Sequence, residues 1–120
     1  MKFSRIFSKT AIIAWVISIC IVSWLSLAPR VEFPLNFIFS DKIFHSLAYL
    51  WLAVLPAFGF KQNRAAITAS LSMILMGIGL EILQAFIPGR FSSVVDIIAN
   101  CIGVFTGIFM GRHIKQHLLK

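Results

Sequence analysis

The chain has 120 residues, of which 59% are hydrophobic and 12% are charged, and its formal net charge is +7. Soluble domains carry roughly twice that share of charged residues, so the composition excludes an ordinary soluble domain and indicates a polytopic membrane protein. Because about 20 apolar residues cross a bilayer, the length predicts roughly four spans in one domain, residues 1–120, without a separate soluble domain.

Four apolar stretches, separated by polar turns, cover about residues 10–28, 42–60, 65–87 and 93–111. The first stretch is longer than the apolar core of a signal peptide, so a cleaved signal is the less favoured interpretation. The tight turn at residues 88–90 divides the last two stretches. The pattern predicts an all-α membrane protein, a compact bundle of four transmembrane helices.

Basic residues are distributed unequally between the two ends of the predicted bundle. One end has eight of them: Lys2, Arg5, Lys9, Lys61, Arg64, Arg112, Lys115 and Lys120. The other end has three: Arg30, Lys42 and Arg90. The positive-inside rule therefore predicts that both termini are cytoplasmic. Contact with anionic membrane lipids accounts for the charge, and no nucleic-acid partner is expected, because the basic residues occur singly around the spans.

Polar residues gather at the opposite, extracytoplasmic end. Asp41, His45 and Tyr49 recur every four residues at the start of the second span, so they share one helix face. Similar spacings occur at the end of the third span and the start of the fourth. The predicted ligand-binding residues are Asp41, Lys42, His45, Tyr49, Glu81, Gln84, Arg90, Ser93, Asp96 and Asn100.

Ionisable groups at membrane depth cost about 2.5 to 3.5 kcal/mol each on insertion scales, so a functional site is the first expectation. Helix packing alone is the second interpretation, with Gln84 and Asn100 as interhelical hydrogen-bonding residues. A metal site is the third, because the polar end has an imidazole and three carboxylates, although no local signature such as HExxH occurs. No metal or other cofactor is firmly implied. His113 and His117 lie in a basic tail that is predicted to be solvated.

Gly103, Gly107 and Gly111 recur every four residues along the fourth span. Such spacing allows another helix to approach closely. The alternative is ordinary membrane-helix composition, in which glycine is common.

The order and spacing of the polar residues resemble the VanZ family of small bacterial membrane proteins over nearly the whole chain. The resemblance rests on three motifs: Asp41-Lys42-x-x-His45-x-x-x-Tyr49, Glu81-x-x-Gln84, and Gly89-Arg90-x-x-Ser93-x-x-Asp96-x-x-x-Asn100-x-x-Gly103. It implies a multi-pass protein of the bacterial cytoplasmic (inner) membrane in the cell envelope. The family is named for an accessory determinant of resistance to the glycopeptide teicoplanin, and the resemblance supplies no known reaction.

Two functional hypotheses follow. The sequence favours a non-enzymatic protein that binds a lipid-linked or amphipathic anionic envelope ligand, with Lys42 and Arg90 contacting its phosphate or carboxylate groups. The alternative is a membrane hydrolase or transferase in which His45 and one of Glu81 or Asp96 act as catalytic acid and base. No oligomeric state follows from the sequence.

Overall fold

The computed structural model describes residues 5–27, 40–87 and 94–118, with only the backbone of residues 40–42. These residues form four helices: α1 (Arg5–Leu27), α2 (Ser40–Gly59), α3 (Asn63–Gln84) and α4 (Val94–Leu118). The described ranges contain no strand. The predicted all-α bundle is therefore confirmed, whereas the side on which the termini lie stays a prediction.

The helices extend beyond the predicted spans at the end that has most of the basic residues. α1 begins at Arg5, five residues before the first predicted span, and α4 continues to Leu118, past the predicted end at Gly111. Lysine, arginine and glutamine are good helix formers, so basic flanks prolong a helix after its apolar part has ended. The predicted tail therefore belongs to α4.

Three of the four described helices, α1, α3 and α4, are long and apolar enough to cross a membrane. At about 1.5 Å per residue, even α3 with its 22 residues matches a hydrocarbon core about 30 Å thick. The apolar part of α2, Ile43–Gly59, is shorter. The first residues of α2 include the charged Asp41 and Lys42, so the apolar part of this helix begins after them.

Large apolar side chains point outward on every helix. Trp24 is 70% exposed, Leu75 is 72% exposed and Phe109 is 72% exposed. Water would make so much exposed apolar surface unfavourable, whereas lipid tails solvate it without cost. The outer surface therefore fits the bilayer that the composition predicts.

Helix α2 is the centre of the bundle and packs against the other three helices. It runs antiparallel to α1, because Phe7 meets Phe58 edge to face at 6.1 Å while Trp51 Nε1 donates a hydrogen bond to Ser18 Oγ at 3.0 Å. A second helix–helix bond runs from Ser70 Oγ of α3 to the carbonyl oxygen of residue 53 at 2.8 Å. Helices α1, α2 and α3 are thus each antiparallel to the next helix in the chain.

The glycine face of α4 lies directly against α2, and the two helices are parallel. A Cβ atom added to Gly107 would lie 2.5 Å from the Leu50 carbonyl oxygen and 2.7 Å from Ala53 Cβ. Gly103 and Gly111 contact the α2 backbone in the same way, one turn before and one turn after. The close approach predicted from the glycine spacing is confirmed, and its partner is α2.

At the end with most basic residues, the prediction of a solvated tail is correct for His113 and His117, which are exposed, but wrong for Lys115. Lys115 is 8% exposed, and its Nζ donates a hydrogen bond to the Phe60 carbonyl oxygen at 3.0 Å. This carbonyl follows the last residue of α2, where backbone acceptors lack helical partners and a cation is favoured. Lys115 also continues the four-residue spacing from Gly111, the signal that places it on the buried face.

Candidate functional site at the polar end of the bundle

Three helices bring one titratable side chain each to the polar end. α2 and α4 begin there and α3 ends there, so the alternation of helix direction places His45, Glu81 and Asp96 side by side. One nitrogen or oxygen atom from each residue lies within 4.8 Å of the corresponding atoms of the other two. We call these three residues the polar triad. The predicted convergence of these side chains is observed.

The members of the polar triad differ in their access to solvent. The side chains of Asp96 and His45 are 6% and 22% exposed, and Glu81 is 3% exposed. His45 Nδ1 lies 3.9 Å from Asp96 Oδ1, too far for a hydrogen bond between these two atoms but close enough for an ion pair if the imidazole is protonated. The imidazole is therefore the accessible member, and the two carboxylates are the buried ones.

A second layer lies one helical turn deeper. It consists of Tyr49, Gly77 and Asn100, each four residues from a member of the polar triad. A Cβ atom on Gly77 would lie 3.0 Å from Asn100 Nδ2 and 3.2 Å from Tyr49 Cε1, so a larger residue would crowd both side chains. Gly77 was not among the predicted site residues, although its spacing from Glu81 is the signal that could have identified it.

A third layer, another turn deeper, is wholly apolar. Ala53, Met73 and Val104 are all buried and form part of the hydrophobic core together with Tyr49. Side-chain polarity thus falls from two carboxylates and an imidazole, to a phenol and an amide, and then to aliphatic groups within two turns. The apolar layer closes the inner side of the site, so the polar triad faces the end of the bundle.

The second layer contains a buried acceptor that the described residues leave unsatisfied. Asn100 is 3% exposed, and its Oδ1 has no hydrogen-bond partner within residues 5–27, 40–87 and 94–118. A buried acceptor without a donor costs about 1 to 3 kcal/mol. This oxygen therefore makes no helix-packing hydrogen bond among the described residues, and packing does not explain why the side chain is polar.

Gln84 is also buried, but its amide reaches sideways toward α1. Its Nε2 donates a hydrogen bond to the Ser26 carbonyl oxygen at 2.9 Å, which ties α3 to the last turn of α1. This is the interhelical contact that the packing interpretation expects, and contact of Gln84 with a ligand stays a prediction. Of the other predicted site residues, Asp41 and Lys42 have only their backbone described, in α2, and Arg90 and Ser93 lie outside the described residues.

The polar triad brings two carboxylates together in a poorly hydrated place. Two neighbouring negative charges repel each other, and burial weakens the hydration that would stabilise them. A proton, a cationic side chain, the imidazolium form of His45 or an added cation can reduce this repulsion. The arrangement can therefore move protons or hold a cation.

The sequence profile of the VanZ/LLP1 family matches residues 2–115. The chain belongs to the VanZ/LLP1 family. A relative of this VanZ/LLP1 protein in the fission yeast Schizosaccharomyces pombe (strain 972) is named "Uncharacterized protein C11E3.10" and is 26% identical over 98 residues. The match covers 79% of this chain and 58% of the relative, so this chain spans little more than half of that protein's length. No solved structure matches this VanZ/LLP1 protein. The yeast relative indicates that similar chains occur outside bacteria.

Proposed function

We propose that this VanZ/LLP1 protein is a membrane enzyme, a hydrolase or transferase, that acts on the anionic head group of a lipid-linked substrate at the polar end of the bundle. The observation that supports this best is the convergence of His45, Glu81 and Asp96 within 4.8 Å. An imidazole beside two carboxylates can act as an acid–base set, in which one group accepts a proton and another donates one. The geometry therefore favours the catalytic hypothesis over simple anion binding, the reverse of the order that the sequence suggests.

Each member of the polar triad has a distinct role in this proposal. His45, the most exposed, accepts a proton from water or an acceptor hydroxyl as that oxygen attacks the head group. Asp96, whose Oδ1 is 3.9 Å from His45 Nδ1, stabilises the imidazolium that forms. Glu81 gives its proton to the leaving oxygen and regains one from the imidazolium. Arg90, which lies outside the described residues, is expected to stabilise the charge that develops on the substrate.

The lipid-linked character of the substrate follows from the surroundings of the site. The polar triad lies at one end of helices whose outer faces are apolar and exposed. A lipid tail can remain in the bilayer along these faces while its head group reaches the triad. Lys42 and Arg90 are expected to contact phosphate or carboxylate groups of that head group, since both belong to the same end of the bundle by sequence.

Binding without turnover is the second candidate function. The chain has no nucleophile signature and no Gly-rich phosphate loop, and Lys42 and Arg90 are predicted at the polar end, so the sequence favours it. Helix packing alone is the remaining alternative, and the bond from Gln84 to Ser26 is of the kind that it requires.

The test is turnover in a lipid environment. Protein in lipid nanodiscs, given polyprenyl diphosphate or a polyprenyl-diphosphate-linked sugar, is expected to release phosphate or the sugar phosphate. His45→Gln should lower this rate at least about 100-fold, the lower range of acid–base catalysis. His113→Gln is the matched control, because His113 is exposed at the far end of α4. Binding that is saturable but gives no product would support the second candidate, and neither binding nor turnover would support packing alone.

We also propose that the protein lies in a bacterial cytoplasmic membrane with both termini in the cytoplasm and the polar triad toward the cell envelope. Arg5 and Arg112 belong to the start of α1 and the end of α4, and Lys61 and Arg64 flank the start of α3, all at one end of the bundle. The positive-inside rule assigns that end to the cytoplasm. If the substrate is a precursor of the cell wall, loss of the protein should alter teicoplanin sensitivity.

Sidedness is tested by labelling single cysteines. In a variant whose Cys20 and Cys101 are replaced by serine, Phe86→Cys should react with an impermeant maleimide in intact cells. Gln62→Cys should react only after the membrane is permeabilised. Both positions are exposed and lie just outside α3, Gln62 before its first residue and Phe86 after its last, so a difference between them reports sidedness rather than burial within the bundle. The opposite labelling pattern would place the polar triad on the cytoplasmic side and contradict the proposed orientation.

A further inference from the structure

We propose that His45, Glu81 and Asp96 bind one divalent cation of the Zn²⁺ or Mn²⁺ type, through which an anionic head group can bind. The role of the ion in turnover rests on the proposed function. The binding of the ion itself does not, since it can be measured without any substrate. The inference starts from the distances in the polar triad.

The spacing of the three donor atoms suits a shared ion. Ligand atoms about 2.0 to 2.2 Å from one ion lie about 3 to 4.2 Å from each other, depending on the coordination geometry. His45 Nδ1 and Asp96 Oδ1 are 3.9 Å apart, which is inside that range. All three donors lie within 4.8 Å. The donors therefore need to approach by at most roughly 0.6 to 1.8 Å at the widest pair, depending on the coordination geometry, which rotation of side-chain torsions can supply.

The donor types select the class of ion. Magnesium and calcium prefer oxygen ligands only, and copper(I) prefers sulfur. One imidazole nitrogen with two carboxylate oxygens suits Zn²⁺ or Mn²⁺. Three protein ligands also leave coordination positions open, as in catalytic rather than structural zinc sites.

One further observation supports an ion at this place. The buried Oδ1 of Asn100 has no donor among the described residues and lies in the layer directly beneath the polar triad. Water that accompanies a hydrated ion can donate to such an acceptor.

The ion also explains how an acidic cluster serves an anionic ligand. A bound ion adds positive charge beside the two carboxylates, and its open coordination positions can accept phosphate oxygens. When the ion is bound, His45, Glu81 and Asp96 are its ligands and no longer an acid–base set, and the ion itself would polarise the head group and activate the attacking water.

The experiment measures ion content directly. Protein carrying a tag without histidine is stripped with a chelator, dialysed against Zn²⁺ or Mn²⁺ in separate samples, and analysed by mass spectrometry of the metal. One ion per chain is expected, with a rise in thermal stability on binding. His45→Gln and Asp96→Asn should each weaken binding at least about tenfold.

The two exposed histidines of α4 provide the matched control. His113 and His117 have ring centroids 4.4 Å apart and are the natural place for adventitious binding. The double variant His113→Gln/His117→Gln should keep the ion. If this variant loses the ion while His45→Gln keeps it, the ion is adventitious and the inference is wrong. Asp96→Asn has nearly the same shape as the parent residue, so helicity and elution behaviour can verify that its fold is intact.

Failure of this inference is distinguishable from failure of the proposed function. One tightly bound ion in a protein that turns over no lipid-linked phosphate would support the ion site and contradict the enzyme. Turnover that persists in fully chelated protein, together with no stoichiometric ion in the reloaded protein, would support the enzyme and overturn the ion site.

Discussion

Gly103→Ala is expected to destabilise the protein by more than about 2 kcal/mol, and Gly79→Ala, the same change in a different helix, to leave it unchanged or slightly more stable. A Cβ atom on Gly103 would overlap the Ser46 carbonyl oxygen and lie 3.1 Å from the Leu50 backbone nitrogen. Backbone atoms cannot rotate aside, so α2 and α4 must separate. A Cβ atom on Gly79 would meet nothing within 4 Å.

The measurement is thermal unfolding of the two variants and the parent in one detergent, together with their abundance in the membrane. Alanine forms helix more readily than glycine by about 1 kcal/mol. Any loss of stability in Gly103→Ala is therefore a net loss that remains after this favourable contribution. Equal unfolding temperatures for the two variants would show that close contact between α2 and α4 is unimportant for stability.

Asp96→Asn is expected to abolish at least about 99% of the turnover while the bundle remains folded. The amide keeps the shape of the side chain but removes the negative charge that lies 3.9 Å from His45 Nδ1. The imidazolium that forms during proton transfer then loses this neighbouring negative charge, so its formation becomes less favourable.

Turnover and thermal stability must be measured on the same preparation of Asp96→Asn. A packing role predicts a fall in stability, whereas an electrostatic role predicts a fall in turnover with stability nearly intact. If the variant is as active and as stable as the parent protein, the polar triad is not a functional site, and packing takes its place as the explanation.

The helices and the polar end were predictable because their signals are local. Apolar runs of about 20 residues define the spans, and residues four apart share a face, so His45 and Tyr49 are placed on one side of α2 by spacing alone. The alternation of helix direction then brings Glu81 and Asp96 to the same end. None of these steps requires knowledge of how the helices cross.

The remaining features depend on which helix faces which. The spacing of Gly103 and Gly107 predicts a close neighbour, but any helix could have filled that place, and the structure identifies α2. The hydrogen bond from Gln84 to Ser26 and the burial of Lys115 depend likewise on neighbours distant in sequence. The need for a small residue at position 77 is apparent only when Tyr49 and Asn100 are known to lie beside it.

The parallel contact of α2 and α4 has a mechanical consequence. The glycine face brings α4 into close contact with α2, and a slide along the helix axes would change each of these contacts. The bonds from Ser46 to Ala99 at one end and from Lys115 to Phe60 at the other resist such a slide. A slip of one turn, about 5.4 Å, would carry Asp96 away from His45. These two hydrogen bonds therefore help to keep Asp96 and His45 at the same level along the helix axes, although Lys115 lies at the far end of the bundle.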